Sequence, residues 1–274
     1  MYDGYNLARN ILCAPLQSLV FVKDPEVRCD RSMWLQPPPT LSLPSGEVHV
    51  WRIRLEQPPD RQETYFRTLA EDERARAGRF HFDELRRHFV VGRGFLRTLL
   101  ARYLDAKPEA VRFSYGPYGK PMLDGKHSAS SLRFNASHSG EWALYGLVQD
   151  HEIGVDVEFV KEDFATEGIA ERFFSAGEVE TLNALTNEEK PAAFFRCWTR
   201  KEAYIKAIGS GLSHPLDTFD VTLAPGEPAA LLRVEREPEA ITRWSLFDLN
   251  VETGYAAALA VEGPVTVLRK WTAG

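Results

Sequence analysis

His151–Val160 reads HEIGVDVEFV, and this stretch decides the fold. Val155 and Val157 alternate with Asp156 and Glu158, which predicts a β-strand with one apolar and one acidic face, because successive strand residues point to opposite sides. A rise of about 3.3 Å per residue places the two acids about 6.6 Å apart, so side chains of different length can converge on one ion. A strand with one solvated face has the same pattern, so both interpretations stay open.

A second informative stretch, FFRCWTRKEAYIKAIGSG, covers residues 194–211. It predicts a helix from Pro191 to Ile208, because proline favours a first helical turn and Gly209 follows the last one. Glu202 and Lys206 are four residues apart and therefore share a helix face. Such a pair is also common on ordinary protein surfaces, where it contributes little.

Together the two stretches offer the carboxylates of Asp156, Glu158 and Glu202 and the ammonium groups of Lys201 and Lys206. Mg²⁺ usually binds in proteins through a few carboxylates and the phosphates of a substrate. The combination therefore predicts a divalent cation held against a bound diphosphate, which neither stretch predicts by itself.

The composition is that of an ordinary globular protein. The chain has 274 residues, of which 44% are hydrophobic and 26% are charged, so it can bury a sizeable core. A net charge of −6 argues against nucleic acid as the main partner, and no apolar run is long enough to span a membrane. Cys13, Cys29 and Cys197 lack metal-ligand spacing, which favours a reducing, cytoplasmic location.

The order of predicted elements indicates two similar halves, residues 46–150 and 151–274. Each half begins with a strand, continues with helices and ends with further strands; the helices are predicted near residues 62–77, 83–104, 169–174, 175–185 and 191–208. Residues 1–45 have weak periodicity, and we expect them to form an N-terminal extension that is partly disordered or loosely packed. Within it, residues 1–32 are the part that we expect not to belong to the folded core.

A basic stretch occupies residues 74–102, where Asp83 and Glu84 are the acidic residues. This local positive charge fits either a solvated helix face or a phosphate clamp, because the guanidinium fork binds phosphate oxygens in pairs. The arginines of the stretch are Arg74, Arg76, Arg79, Arg86, Arg87, Arg93, Arg97 and Arg102.

Four motifs in a fixed order resemble those of the Sfp-type 4′-phosphopantetheinyl transferases, over the chain from about Met33 to its end. They are the turn Gly119-Lys120-Pro121, the segment Asn135-x-Ser137-His138-Ser139, the strand Gly154-Val155-Asp156-Val157-Glu158 and the helix Trp198-x-x-Lys201-Glu202-x-x-x-Lys206. Any one of them is weak evidence, whereas four in the family's order are specific. The resemblance implies an α+β fold, a pseudo-dimer of two similar α/β sub-domains with the active site between them.

The resemblance also implies an activity and its site. Such an enzyme, of the holo-[acyl-carrier-protein] synthase type, moves 4′-phosphopantetheine from coenzyme A to a serine of an apo acyl, peptidyl or aryl carrier protein. In this chain it implies Asp156, Glu158 and Glu202 as ligands of Mg²⁺ and Glu202 and Lys206 as catalytic residues. The residues that it places on coenzyme A are Arg76, Arg87, Lys120, Ser137, His138, Lys201 and Lys206.

Some expectations remain open at this stage. The family often has an arginine where this chain has His88, so either Arg86 or Arg87 compensates at the 3′-phosphate or this chain binds that phosphate less firmly. Whether Glu202 is a base or only a metal ligand is undecided. We expect a monomer that serves fatty-acid, polyketide or nonribosomal-peptide synthesis. The alternatives are a Mg²⁺-dependent hydrolase of the coenzyme A diphosphate and a catalytically silent module that binds carrier proteins.

Overall fold

The computed structural model describes residues 33–161 and 167–274, and the predicted extension at residues 1–32 lies outside them. No helix within these ranges is long and apolar enough to cross a membrane. The elements of the N-terminal half are β1 (Glu47–Arg54), α1 (Pro59–Thr68), α2 (Glu71–Ala77), α3 (Asp83–Tyr103), β2 (Arg112–Tyr115), β3 (Pro121–Asp124), β4 (Leu132–Ser139) and β5 (Trp142–Gln149). Those that follow are β6 (Ile153–Phe159), α4 (Glu167–Phe173), α5 (Ala176–Asn183), α6 (Lys190–Ile208), β7 (Phe219–Val221), β8 (Leu231–Val234), α7 (Ala240–Arg243), β9 (Trp244–Asp248), β10 (Tyr255–Glu262) and β11 (Val267–Ala273).

Two sheets repeat the same strand arrangement. In the first, the order is β11-β1-β5-β4, and in the second it is β6-β10-β9. Both sheets contain the same three-strand unit, β1-β5-β4 and β6-β10-β9. In each unit the first strand of the half pairs antiparallel with a later strand of the same half, β1 with β5 and β6 with β10. The predicted pseudo-dimer of two α/β halves is therefore confirmed.

Four layers build the molecule, because each sheet has two apolar faces. The inner faces of the two sheets pack on each other through residues such as Val50, Leu144, Val155 and Leu259. The outer face of the first sheet packs on α3 through Trp51 and its neighbours, and the outer face of the second packs on α6. The predicted strand pattern of β6 is present, since Val155 and Val157 lie in the inner core while Asp156 lies on the α6 side.

The last strand of the chain crosses to the first sheet, where β11 runs parallel to β1. The segment that follows Ser32 also packs there: Leu35 exchanges backbone hydrogen bonds with Lys270 and Thr272, both of 2.9 Å. The guanidinium of Arg52 lies 4.8 Å from the ring of Trp34. This part of the predicted extension is thus packed against the fold, and the C-terminal half contributes a strand to the N-terminal sheet.

One predicted helix is in fact two. The periodicity predicts a continuous helix near residues 62–77, but Leu69 is extended and buried between α1 and α2. The second helix starts where the backbone N–H of Ala70 donates to the Glu73 carboxylate at 2.9 Å. Glu73 is therefore a buried capping residue rather than part of a solvated helix face.

Candidate active site

The site begins with a close approach of α6 to β6. A Cβ atom placed on Gly154 would lie 2.0 Å from the carbonyl oxygen of Ala203 and 2.4 Å from the amide nitrogen of Ala207. Only glycine allows this contact, because no real side chain fits in that space. The contact sets the acidic face of β6 directly beside the helix face that carries Glu202 and Lys206.

Asp156 is the centre of the cluster and is only 1% exposed. Its Oδ1 accepts hydrogen bonds from Ser137 Oγ at 2.8 Å and from Lys206 Nζ at 2.5 Å. Its Oδ2 is buried and has no hydrogen-bond partner among the residues that the structure describes. Burying an unpaired carboxylate oxygen is unfavourable, so this atom indicates a ligand that the protein itself does not supply.

Glu158 and Glu202 belong to the same electrostatic cluster. Burial raises the pKa of Glu158, the negative charge of Asp156 raises it further, and a hydrogen bond from Ser139 opposes the rise. Burial raises the pKa of Glu202 to about 7; Lys206 opposes this shift, while Asp156 and Glu158 add to it. Burial raises the pKa of all three carboxyl groups, and repulsion between them adds to the rise for Glu158 and Glu202, so the cluster is a suitable setting for a cation.

Their oxygens do not form a closed cage in this conformation. Among the described residues, the one set of three acidic or histidine ligands whose atoms lie within 4.8 Å of each other is Glu56, Glu84 and His88. Sharing one ion between β6 and α6 therefore requires Glu158 or Glu202, both long side chains, to change rotamer.

Lys201 lies elsewhere, which corrects its assignment to the diphosphate. Its ammonium group is completely buried, contacts the Glu178 carboxylate at 2.7 Å and donates to two backbone carbonyls, of Leu216 and Phe219. Consecutive helix residues point about 100° apart, so Lys201 faces the core of the C-terminal half when Glu202 faces β6. It is not placed to bind coenzyme A.

Lys120 holds the turn between β2 and β3 against the end of α6. Its Nζ donates to Glu152 at 2.6 Å and to the carbonyl of Ala207 at 2.7 Å. The turn, together with Glu202 and Lys206, lines a cavity of about 350 Å³. Lys120 therefore stands at the rim of the cluster, although its visible partners are protein groups.

Ser137 and His138 point to opposite sides of β4. Ser137 faces the carboxylates, where its hydroxyl contacts Asp156 and accepts from Lys206 Nζ at 3.1 Å. His138 reaches the surface; partial desolvation lowers its pKa, and the positive charges of Lys206, His88 and Arg76 lower it further. We call the surface around His138, Arg76 and Lys206 the positive edge of the site, because the charges of Arg76 and Lys206 act on His138.

The two arginines predicted at the 3′-phosphate have different surroundings. Arg76 packs over the Phe89 ring at 5.1 Å and has no carboxylate partner in the described ranges. Arg87 lies 3.7 Å from Glu56 and lines a separate cavity of about 370 Å³ beside Arg74 and Arg86. Arg86 pairs with Asp83 at 3.0 Å, and His88 lies 3.1 Å from the same Glu56 carboxylate that faces Arg87.

The motifs alone did not show what Asn135, Ser139 and His88 do. Asn135 Oδ1 accepts from the backbone N–H of Val155 at 3.0 Å, and Ser139 Oγ donates to Glu158 Oε2 at 2.8 Å. Their signal in the sequence is the period of two in Asn135, Ser137 and Ser139, which places three polar side chains on one face of β4. In the sequence, His88 stands out only because the family often has an arginine at this position.

The structure consists of two α/β halves, and a cluster of carboxylates and a lysine lies beside a cavity where the halves meet. Most of the chain matches known proteins. A model of the 4′-phosphopantetheinyl transferase superfamily matches residues 152–260, and a model of the N-terminal region of 4′-phosphopantetheinyl transferases matches residues 57–147. The 4′-phosphopantetheinyl transferase HetI of Nostoc sp. is 43% identical over 230 residues, 84% of this chain and 94% of HetI.

More distant relatives agree. Sfp of Bacillus subtilis is 30% identical over 79% of this chain and 93% of its own length. The human L-aminoadipate-semialdehyde dehydrogenase-phosphopantetheinyl transferase is 27% identical over 72% of this chain and 68% of its own length. The chain therefore belongs to the 4′-phosphopantetheinyl transferase family.

Proposed function

We propose that this protein transfers the 4′-phosphopantetheine group of coenzyme A to a serine hydroxyl of an apo carrier protein and releases 3′,5′-ADP. The observation that carries the proposal is the buried Oδ2 of Asp156, which has no partner in the described part of the chain and lies in a cluster of three carboxylates beside Lys206. The donor set consists of carboxylate oxygens, which Mg²⁺ prefers, and so it fits the cation that the family resemblance implies.

Asp156, Glu158 and Glu202 are assigned to the cation. When bound, Mg²⁺ neutralises charge on the diphosphate during transfer of the phosphoryl group. The Lys206 ammonium, anchored to Asp156 Oδ1 and still partly exposed, is placed to contact the diphosphate from the cavity side. It then stabilises the negative charge that develops on the leaving 3′,5′-ADP.

Glu202 is the group that we assign to the serine proton. A carboxylate that is not fully engaged by the cation can accept this proton, either from the serine directly or through a water molecule. Its position on the wall of the cavity supports access of the incoming hydroxyl. The Glu202→Gln variant separates the two roles of ligand and base: loss of transfer with retained cation binding assigns the base.

The remaining contacts of coenzyme A follow the positive edge of the site. We assign its 3′-phosphate to Arg76 and His138, because the charge of Arg76 acts on His138 and Arg76 has no carboxylate partner among the described residues. Lys120 supports this edge through the turn that it holds against α6. Arg87 and His88 both face the Glu56 carboxylate, at 3.7 and 3.1 Å, so a phosphate bound by either of them would have to compete with it.

The test is to incubate the protein with coenzyme A, Mg²⁺ and apo acyl, peptidyl and aryl carrier proteins and to measure the mass of each carrier. We expect a gain of one phosphopantetheine on the serine. Asp156→Asn should reduce the rate at least about 100-fold, the scale for losing an electrostatic group at a reacting centre. The exposed Asp72→Asn in α2 is the matched control. Phosphopantetheine released without a carrier would instead assign a hydrolase.

The same preparations address the setting of the enzyme. We propose a monomer, as the family resemblance implies, in the cytoplasm, since Cys197 is a free, buried thiol that needs no oxidising compartment. Light scattering after gel filtration gives the mass of the particle directly. Relative rates on the three carrier classes show whether fatty-acid, polyketide or nonribosomal-peptide synthesis is served.

A further inference from the structure

The edge of β4 meets the edge of β6 without a backbone ladder. Among the described strands, β4 pairs with β5, and β6 pairs with β10. The side chains of Asn135, Ser137 and Ser139 bridge the gap, each reaching a different position of β6. The orientation of the β6 carboxylates therefore depends on side chains of the other half of the molecule.

The direction of the Ser139 hydroxyl is fixed by its neighbours. The backbone N–H of Phe159 donates to Ser139 Oγ at 3.1 Å, so this oxygen already acts as an acceptor. Its own hydrogen is directed to Glu158 Oε2, 2.8 Å away. A hydroxyl can donate one hydrogen bond, and here that bond goes to the carboxylate.

Ser137, two residues earlier on β4, makes the same arrangement with Asp156. Its hydroxyl accepts from Lys206 Nζ and donates to Asp156 Oδ1. In both pairs a serine occupies one carboxylate oxygen, and the other oxygen has no hydrogen bond from the described residues: Oδ2 of Asp156 and Oε1 of Glu158. The pattern leaves one oxygen of each acid directed by the protein but available to a ligand.

We infer that Ser139 is a positioning residue that orients Glu158 for the divalent cation. This inference rests on the proposed function, because it assumes that the carboxylates hold a cation during transfer. Hydrogen bonds that orient a metal-binding carboxylate are worth about 10- to 100-fold in metal affinity. Ser139 itself touches neither the cation nor the substrate in this assignment.

The experiment measures Mn²⁺ binding by electron paramagnetic resonance at saturating coenzyme A, in the full-length protein. Ser139→Ala should weaken binding about 10- to 100-fold, and Ser139→Thr, which keeps the hydroxyl, should restore it to within about threefold. Ser139→Cys keeps the size of the side chain but donates weakly, so its affinity should fall between those of alanine and serine. Ser131→Ala, which removes a hydroxyl bonded to Gln149, is the control and should bind as the wild type.

Carrier modification by the same preparations separates the possible failures. If the wild type neither modifies a carrier nor binds Mn²⁺, the proposed function fails and the inference falls with it. If the wild type does both and the alanine or cysteine variant binds Mn²⁺ as tightly, the role of Ser139 alone is overturned. Melting temperatures of all variants identify any loss of affinity that comes from unfolding. If Ser139→Ala is unfolded, the Mn²⁺ affinities of Ser139→Cys and Ser139→Thr test the inference instead.

Discussion

Glu73 in the N-terminal half and Glu178 in the C-terminal half occupy equivalent places. Each is the third residue of a short helix, and each accepts a backbone N–H at 2.9 Å, from Ala70 and Ser175 respectively. Each is also buried and binds a cation on the long helix that follows it. The two halves therefore fix their long helices, α3 and α6, by the same device.

The two halves differ in the basic side chains that pair with this buried glutamate. Glu73 binds two guanidinium groups, of Arg93 and Arg97, and Arg97 also donates to the carbonyls of Pro108 and Val111. Glu178 binds the single ammonium of Lys201. The comparison teaches that a lysine inside a family motif can serve the fold rather than the chemistry. It also shows that part of the basic stretch at residues 74–102 is neutralised inside the protein.

The largest effect should come from breaking the buried pair of the C-terminal half. Lys201→Met removes the only ammonium that contacts Glu178 in the described structure and leaves a carboxylate that is 3% exposed. Removing one partner of a buried pair costs about 3–5 kcal/mol. Urea titration measures the free energy of unfolding. The Glu178→Gln/Lys201→Met double variant should recover part of the loss, and an unchanged single variant would contradict a structural role for Lys201.

The equivalent change in the N-terminal half should cost less. Glu73→Gln keeps the bond from Ala70 and leaves Arg97 with its two carbonyl acceptors, so we expect a loss of about 2–3 kcal/mol in the free energy of unfolding. Glu71→Gln in the same helix is exposed and is the control. A loss as large as that of Lys201→Met would show that the two halves depend equally on these pairs.

The strand β6 could be predicted from residues 153–159 alone because alternation has one structural meaning: the acids share a face. The position of Lys201 could not, because the motif puts it next to Glu202 and only the rotation of the helix separates their directions. The bridging role of Ser139 needed the contact between β4 and β6, which are neighbours without backbone pairing. The parallel pairing of β11 with β1 could not be predicted either, because it depends on a crossing between the halves that no local pattern encodes.

The third prediction concerns the close packing of α6 on β6 at Gly154. Gly154→Ala puts a methyl group against the backbone of α6, so the helix must move; we expect a loss of about 1–3 kcal/mol in stability together with weaker Mn²⁺ binding. Gly92→Ala in α3 is the counterpart, because a Cβ there would lie 3.4 Å from the nearest atom, the hydroxyl oxygen of Tyr145. That variant should be neutral or slightly more stable, since alanine favours helices. Equal losses would contradict the special contact at β6.

The smallest expected effect concerns His49, which lies on the face of β1 that corresponds to the carboxylate-bearing face of β6. His49 is 2% exposed; its Nδ1 and the Tyr103 hydroxyl lie 2.6 Å apart, and its Nε2 lies 2.8 Å from Glu47. Trp51 Nε1 donates to the Tyr103 oxygen, and a hydrogen bond from the Tyr103 hydroxyl to Nδ1 would favour the neutral imidazole. Burial lowers the pKa of His49, although Glu47 opposes this shift.

The sign of the resulting pH dependence follows from linkage. Below the ordinary histidine pKa of about 6.5, the unfolded chain binds a proton at His49 that the folded protein does not, so stability is lost as pH falls. One proton accounts for at most about 1.4 kcal/mol per pH unit. Thermal or urea unfolding between pH 7 and pH 5 should therefore show a shallower slope for His49→Gln than for the wild type. His81→Gln, which removes an exposed histidine, should keep the wild-type slope, and identical slopes for all three proteins would mean that the N-terminal half does not discriminate against a charge at His49.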